Sequence, residues 1–212
     1  MLIFVDVERV SDSELKEYLV SVPDWNWDEE FMVASLDTSL AKKLDSVLLV
    51  GGVSSKTLKR YFSETNFVLK TTEKQLIHRS LPDGFQFGVL KDTQMPYLFS
   101  TWKYSEGESI EDFQKFVKIF PTSAVYRKED KLQSHPISYI FYYHYGFMGM
   151  IHTDPEYRRL GLASAVFSNL CSKLAENKIL MLTQVNIDNE ASFEMHKKLG
   201  FEIVNEVCWF VE

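Results

Sequence analysis

Residues 153–164 read TDPEYRRLGLAS, and the fold is decided by how this stretch is read. It follows an apolar segment, Phe147–Thr153, that reads as a strand, and it opens the strongest helical run, Arg159–Glu176. In that run Ala163, Phe167, Leu170 and Leu174 fall on one face of a 3.6-residue period. A strand-to-helix turn carrying Arg158, Arg159 and Gly161 is a place for an anion. Free N–H groups at the helix start, together with the dipole, favour a phosphate or pyrophosphate. Gly161 and Ala163 let such a group approach the main chain closely, and the arginines add charge. Taken alone, the stretch reads equally well as a solvated helix start.

Outward from it the pattern stays regular. Downstream, Ile179–Val185 reads as a buried strand. Asn189 can cap a helix running to Leu199, with Gly200 placed for a left-handed C-cap, and Val204–Val211 closes the chain as strand. Upstream, Thr122–Arg127, Ile137–Tyr143 and Phe147–Thr153 read as successive strands. Phe85–Leu90 is a further strand, followed by helices over Thr93–Tyr104 and from Ser109, where Phe113, Phe116 and Val117 share a face. This order predicts a mixed α/β fold with an antiparallel meander rather than alternating βαβ units. Turn residues Pro82, Asp83 and Gly84 mark a boundary near residue 80, giving a segment 1–80 and a segment 81–212. In the first, Ser13–Val20, Thr38–Leu44 and Lys56–Phe62 read as helices, and Ser46–Val53 as a buried strand. The acidic residues Asp24, Asp28, Glu29 and Glu30 around Trp25 and Trp27 read as a solvated loop.

Composition narrows the function. The chain has 212 residues, of which 45% are hydrophobic and 25% charged, an ordinary globular balance. A chain of that size buries about 70% of its unfolded surface, so it needs no disulfide or metal to hold a core. Net charge is -7, which argues against sequence-independent nucleic-acid binding. No apolar run approaches the ~20 residues of a membrane span. The start, MLIFVDVERV, meets acid at Asp6 and lacks the basic region of a signal peptide. Cys171 and Cys208 read as reduced core thiols, so the expected setting is the cytoplasm or another reducing compartment. His78, His135, His144, His152 and His196 include no pair at metal-ligand spacing, so no metal site is expected. Tyr142, Tyr143 and Tyr145, with Phe147, read as core and sheet surface rather than an acyl pocket.

Arg158-x-x-Gly161-x-Ala163, preceded by Pro155-Glu156-Tyr157, resembles the acyl-CoA-binding motif of the GNAT acyltransferase superfamily. Asn189-x-x-Ser192-x-x-x-His196-x-x-x-Gly200-Phe201 resembles its second motif. The two follow in the right order over the expected strand, helix, strand and helix. The likeness covers roughly residues 84–212. A closer resemblance, to the glycine N-acyltransferase family, rests on LPDGFQFGVL (81–90) and Ser100-Thr101-Trp102-Lys103. It continues through Phe120-Pro121-Thr122, His135-Pro136-Ile137-Ser138 and Thr153-x-Pro155-Glu156-Tyr157-Arg158.

The resemblance implies a GNAT fold: a mostly antiparallel central sheet flanked by helices, with residues 1–80 as a smaller, degenerate GNAT-like half. It implies acetyl-CoA or another acyl-CoA as co-substrate and a small amine acceptor, with glycine as one example. Carried over, the main chains of Ile151, His152 and Thr153 would pair with the pantetheine arm. N–H groups from Arg159 through Ser164, spanning Gly161, Leu162 and Ala163, would hold the pyrophosphate beside Arg158. Asn189 and Ser192 would lie near the cofactor arm. His196 stands where the second motif has its acid, usually a tyrosine, and the alternative is a histidine that fills helix packing. The position of the usual catalytic glutamate is Phe147, which cannot accept a proton. His144, His152 and Glu156 lie nearby; His152 has the best position, on the cofactor strand, but reads equally well as an ordinary strand histidine, and the sequence assigns no base. Two other readings stay open: transfer to a protein lysine or N-terminus, which an acidic surface would favour, and a module that binds acyl-CoA without turnover.

Overall fold

A computed structural model describes residues 10–22, 32–49, 59–60, 65–105 and 108–211. The elements run α1 (Asp12–Val20), β1 (Met32–Asp37), α2 (Thr38–Leu49), β2 (Lys59–Arg60), β3 (Asn66–Thr71) and β4 (Phe85–Gly88). They continue α3 (Met95–Thr101), α4 (Ile110–Ile119), β5 (Thr122–Arg127), β6 (Ser138–Tyr142) and β7 (Met148–Thr153). The chain then forms α5 (Leu162–Glu176), β8 (Met181–Asn186), α6 (Glu190–Lys197) and β9 (Glu202–Val211). Contacts divide it into two compact units. One holds the described residues up to Val68, with Asn186–Asp188 and the chain from Val204; the other holds Leu69–Val185 and Asn189–Ile203.

In the first unit a capping box starts α1. The Ser11 hydroxyl accepts from the Glu14 N–H at 3.2 Å and the Glu14 carboxylate accepts from the Ser11 N–H at 2.8 Å. Leu15 and Leu19 then pack on Leu40, Leu44, Val47 and Leu48 of α2. That packing corrects one expectation. Ser46–Leu49 continue α2 instead of opening a strand, because Val47 and Leu48 lie on the helix face that α1 covers. A second correction falls at Lys59 and Arg60, which pair as strand with Val211 and Phe210 of β9 rather than sitting in a helix. The remainder of 50–62 and the acidic stretch around Trp25 and Trp27 lie outside the described residues.

In the second unit β4, β5, β6 and β7 form the expected antiparallel meander. The meander ends there. Helix α5 carries the chain back so that β8 runs parallel to β7, a crossover that a parallel pair requires. Alternation along β5 assigns its two faces. Ala124 and Tyr126 join Leu98, Phe99, Phe113 and Phe141 in an aromatic core with α3 and α4. Ser123 points the other way and hydrogen-bonds Asn169 of α5 at 2.8 Å. Residues Thr122–Tyr126 are therefore buried on both faces, with helices on either side. No described helix is long and apolar enough to cross a membrane.

Gly200 ends α6 as the sequence expects, at φ +87°, and a Cβ there would meet the Gln75 carbonyl oxygen at 2.1 Å. Gly84 shares that φ but has open space around it. Gly200→Ala is expected to cost about 3 kcal/mol and Gly84→Ala about 1 kcal/mol, read as shifts in the urea unfolding midpoint.

Candidate active site

The site is built around β7. Its register with β6 pairs Tyr139 with His152 and Phe141 with Gly149, so Met150 and Ile151 stand opposite Ile140 alone. Met150 takes up the extra residue at φ +52°. This is a β-bulge, which bends a strand and re-aims the residues beyond it. On the other edge, the register with β8 is Met148↔Thr183, reinforced by the Thr183 hydroxyl donating to the Met148 carbonyl at 3.0 Å. Beyond that pair the β7 edge from Met150 to Thr153 leaves the parallel ladder. Ile151, His152 and Thr153, expected to offer main-chain pairing, lie on this stretch and are half-buried.

The strand runs into the arginine loop. Pro155–Tyr157 form a single 3-10 turn. Arg159 then takes φ +68° and Gly161 φ +79°, and α5 begins at Leu162. Those left-handed residues explain why the helix starts three residues later than the apolar period suggests. Gly161 as N-cap has no side chain to occupy the first-turn N–H groups of Leu162, Ala163 and Ser164. A Cβ at Gly161 would meet nothing within 4 Å, so the N-cap position itself is unobstructed. Arg158 is tied back by its Nε donating to the Thr153 carbonyl at 3.2 Å, and both arginines are exposed. A positive loop with unpaired N–H groups at a 15-residue helix start suits a phosphate.

Helix α6 holds the second motif. Asn189 caps it, its side-chain oxygen accepting from the Ser192 N–H at 3.1 Å. His196 is 1% exposed, and the edges and faces of Phe167 and Phe201 meet its ring at centroid distances of 4.6 and 5.6 Å. Its Nδ1 lies 2.7 Å from the Ser192 carbonyl and so carries the proton. Nε2 is buried without a partner. Burial pushes the ring down to about 4, against the opposing hydrogen bond to Ser192. His196 is therefore neutral near pH 7, with a lone pair on Nε2.

Phe147 directly precedes β7. Its carbonyl accepts from the Tyr143 N–H at 2.8 Å, and its ring lies 6.1 Å from that of Tyr145. Tyr143 stacks on Tyr145 at 4.9 Å and is buried against Phe113 and Phe141, as the core reading of this aromatic run expects. Cys171 is buried in α5, where loss of solvation pushes its thiol well up and away from nucleophilic use. Among the described residues no group of His, Cys, Asp or Glu could hold a metal.

One cluster escaped the sequence. Asp154, the residue after β7, accepts from the Tyr97 hydroxyl and lies 2.9 Å from Nε2 of His135 and 3.2 Å from Nε2 of His152. Burial opposes ionisation of Asp154, but these hydrogen bonds outweigh it and hold the carboxyl below its usual range. Burial and the Asp154 carboxylate together raise the Tyr97 hydroxyl. The one sequence signal was the His152-x-Asp154 spacing across the end of a strand.

Comparison with known proteins agrees with this architecture. Residues 129–210 match the family model described as FR47-like protein. No curated protein matches the chain. A Drosophila protein of known structure superposes with a TM-score of 0.78 at 17% identity, covering 94% of this chain and 66% of that one. A GCN5-related N-acetyltransferase from Sphaerobacter thermophilus superposes at 0.59 with 9% identity, covering 95% and 64%. A putative acetyltransferase of the GNAT family from Novosphingobium aromaticivorans gives 0.52 at 11%, covering 73% and 66%. The chain thus spans about two thirds of the length of these structures. Its fold is the GNAT fold, as the two motifs imply.

The buried His196 links stability to pH. Unfolded, the ring binds a proton near pH 6.5; folded, it does so only near 4. Acidification from about 6.5 to 4 therefore favours the unfolded chain, by up to ~1.4 kcal/mol per pH unit from this group, and above that window the effect is absent. His196→Phe is expected to flatten the fall in urea midpoint between pH 7 and 5; an unchanged fall would place the titration elsewhere.

Proposed function

We propose that the chain is an acyl-CoA-dependent N-acyltransferase, moving an acyl group from a CoA thioester to a primary amine. The acceptor is a small amine or amino acid such as glycine, in line with the resemblance to the glycine N-acyltransferase family. The observation that carries the reading is the continuous run from the bulged β7 edge through two left-handed residues to the open start of α5.

In this reading the main chain of Ile151, His152 and Thr153 pairs with the pantetheine arm, and an N–H on that edge polarises the thioester carbonyl as a single-donor oxyanion hole. N–H groups from Arg159 through Ser164 take the pyrophosphate, with Arg158 and Arg159 supplying charge. Asn189 and Ser192 lie toward the cofactor arm. His196 occupies the acid position. To serve the leaving thiolate it must first bind a proton at Nε2, which its burial disfavours at pH 7. A contribution through His196 would therefore grow as the pH falls. In this reading the segment 1–80 is a smaller, degenerate GNAT-like half.

Phe147 favours a second reading, a module that binds acyl-CoA without turning it over. One pair of measurements separates the two. Acetyl-, benzoyl- and a long-chain acyl-CoA are titrated into the protein by calorimetry, and CoA release is followed with an amine panel. Arg158→Ala/Arg159→Ala is expected to weaken acyl-CoA binding roughly 10-fold or more. Binding with CoA release supports the enzyme; binding without release with any acceptor supports the module; no binding removes both.

A further inference from the structure

We propose that His152, oriented by Asp154, is the base that takes the proton from the acceptor amine, a role that rests on the acyl-transfer reading. An amine nucleophile must reach the thioester unprotonated, and Phe147 offers no proton acceptor. The bulge supplies one nearby. By absorbing an extra residue at Met150, it sets His152 opposite Tyr139 and stacks the imidazole on that ring at 5.3 Å and 24°. Met150 and Tyr139 both belong to the core shared with α3 and α4, so the ring stands on the sheet face that those helices cover. It also sits within the three-residue edge proposed to hold the thioester.

The hydrogen bonds assign the tautomer. Asp154 is ionised and accepts from Nε2–H of His152, which leaves the lone pair on Nδ1. Among the described residues Nδ1 has no hydrogen-bond partner, and the side chain is 18% exposed. Asp154 cannot swing away. Its N–H donates to the Ile137 carbonyl at 2.9 Å, and Tyr97 and His135 hold its carboxylate. The other titratable groups around His152 are Tyr139, whose hydroxyl pairs with Thr101 at 2.5 Å, and Arg158 at the Thr153 carbonyl. Among these groups Asp154 is the acceptor, so it is the positioning residue and steadies the imidazolium once formed.

The step balances. Nδ1 of His152 takes one proton from the ammonium. The freed nitrogen pair forms the C–N bond while the carbonyl pair moves to oxygen. That pair returns as the C–S bond breaks, and the thiolate leaves with its electrons. The nitrogen's second excess proton goes to that sulfur, giving amide and CoA thiol, and His152 returns its proton to water.

The test uses the full chain with acetyl-CoA and two acceptors: an alkylamine, protonated at pH 7, and methoxyamine, already neutral there. His152→Gln keeps a donor toward Asp154 but has no basic nitrogen. It is expected to leave the Kd for acetyl-CoA within about twofold and to lower kcat/KM for the alkylamine roughly 100-fold or more. Its effect on methoxyamine should be only a few-fold. Asp154→Asn removes the charge that stabilises the imidazolium, so kcat/KM for the alkylamine should fall about tenfold or more. For methoxyamine the same variant should lose only a few-fold, as His152→Gln does. Wild-type turnover by His152→Gln, or equal losses with both acceptors in either variant, would each overturn the role while leaving acyl transfer intact. A wild-type chain that releases no CoA would remove the acyl-transfer reading and this role with it.

Discussion

Everything in the candidate site depends on one irregular pairing, the two-against-one register of β7 on β6. A regular ladder would have kept β7 straight beside its neighbours, with its edge groups spent. Instead Met150 adopts a left-handed conformation that costs a side-chain-bearing residue about 1–2 kcal/mol. Pairs on both sides hold it there: Phe141 with Gly149, and Tyr139 with His152. Beyond the bulge, the Ser138 hydroxyl donates to the His152 carbonyl at 2.9 Å and lies 2.8 Å from the Thr153 hydroxyl. Gly149 makes the arrangement possible, because a Cβ there would come within 2.6 Å of the Tyr143 ring. Bulge, open edge and re-aimed His152 are one device.

Much of this was legible in residue order. The apolar period of α5, the Asn189 cap and the Gly200 stop are local signals, and each was found where hydrogen bonding and φ require it. Run-on apolar stretches were less legible. Ser46–Leu49 carries the same residues whether strand or helix, and only packing on Leu15 and Leu19 of α1 decides for helix. The start of α5 was hidden for another reason. Arg159 is an ordinary helix former, and nothing in its identity announces a left-handed turn.

The two histidines of the site show why motif position and chemistry diverge. His196 lies inside a recognisable spacing, yet its surroundings are aromatic and its proton is held on Nδ1 by a carbonyl. His152 lies in no motif, yet it meets a carboxylate that two other side chains also hold. The difference comes from residues distant in sequence: Phe167 and Phe201 around one ring, Tyr97 and His135 around the other's partner. A pattern of spacings along one segment contains neither.

Arg159 has a consequence outside catalysis. As a non-glycine residue at φ +68° it keeps the chain off its own helix until Gly161, at a cost a glycine would largely avoid. The loop is thus an element whose best residue for stability differs from its best residue for charge. A library of this protein sorted only for thermal endurance should drift toward glycine or asparagine at position 159, shedding the cation while leaving the backbone path of the anion cradle in place.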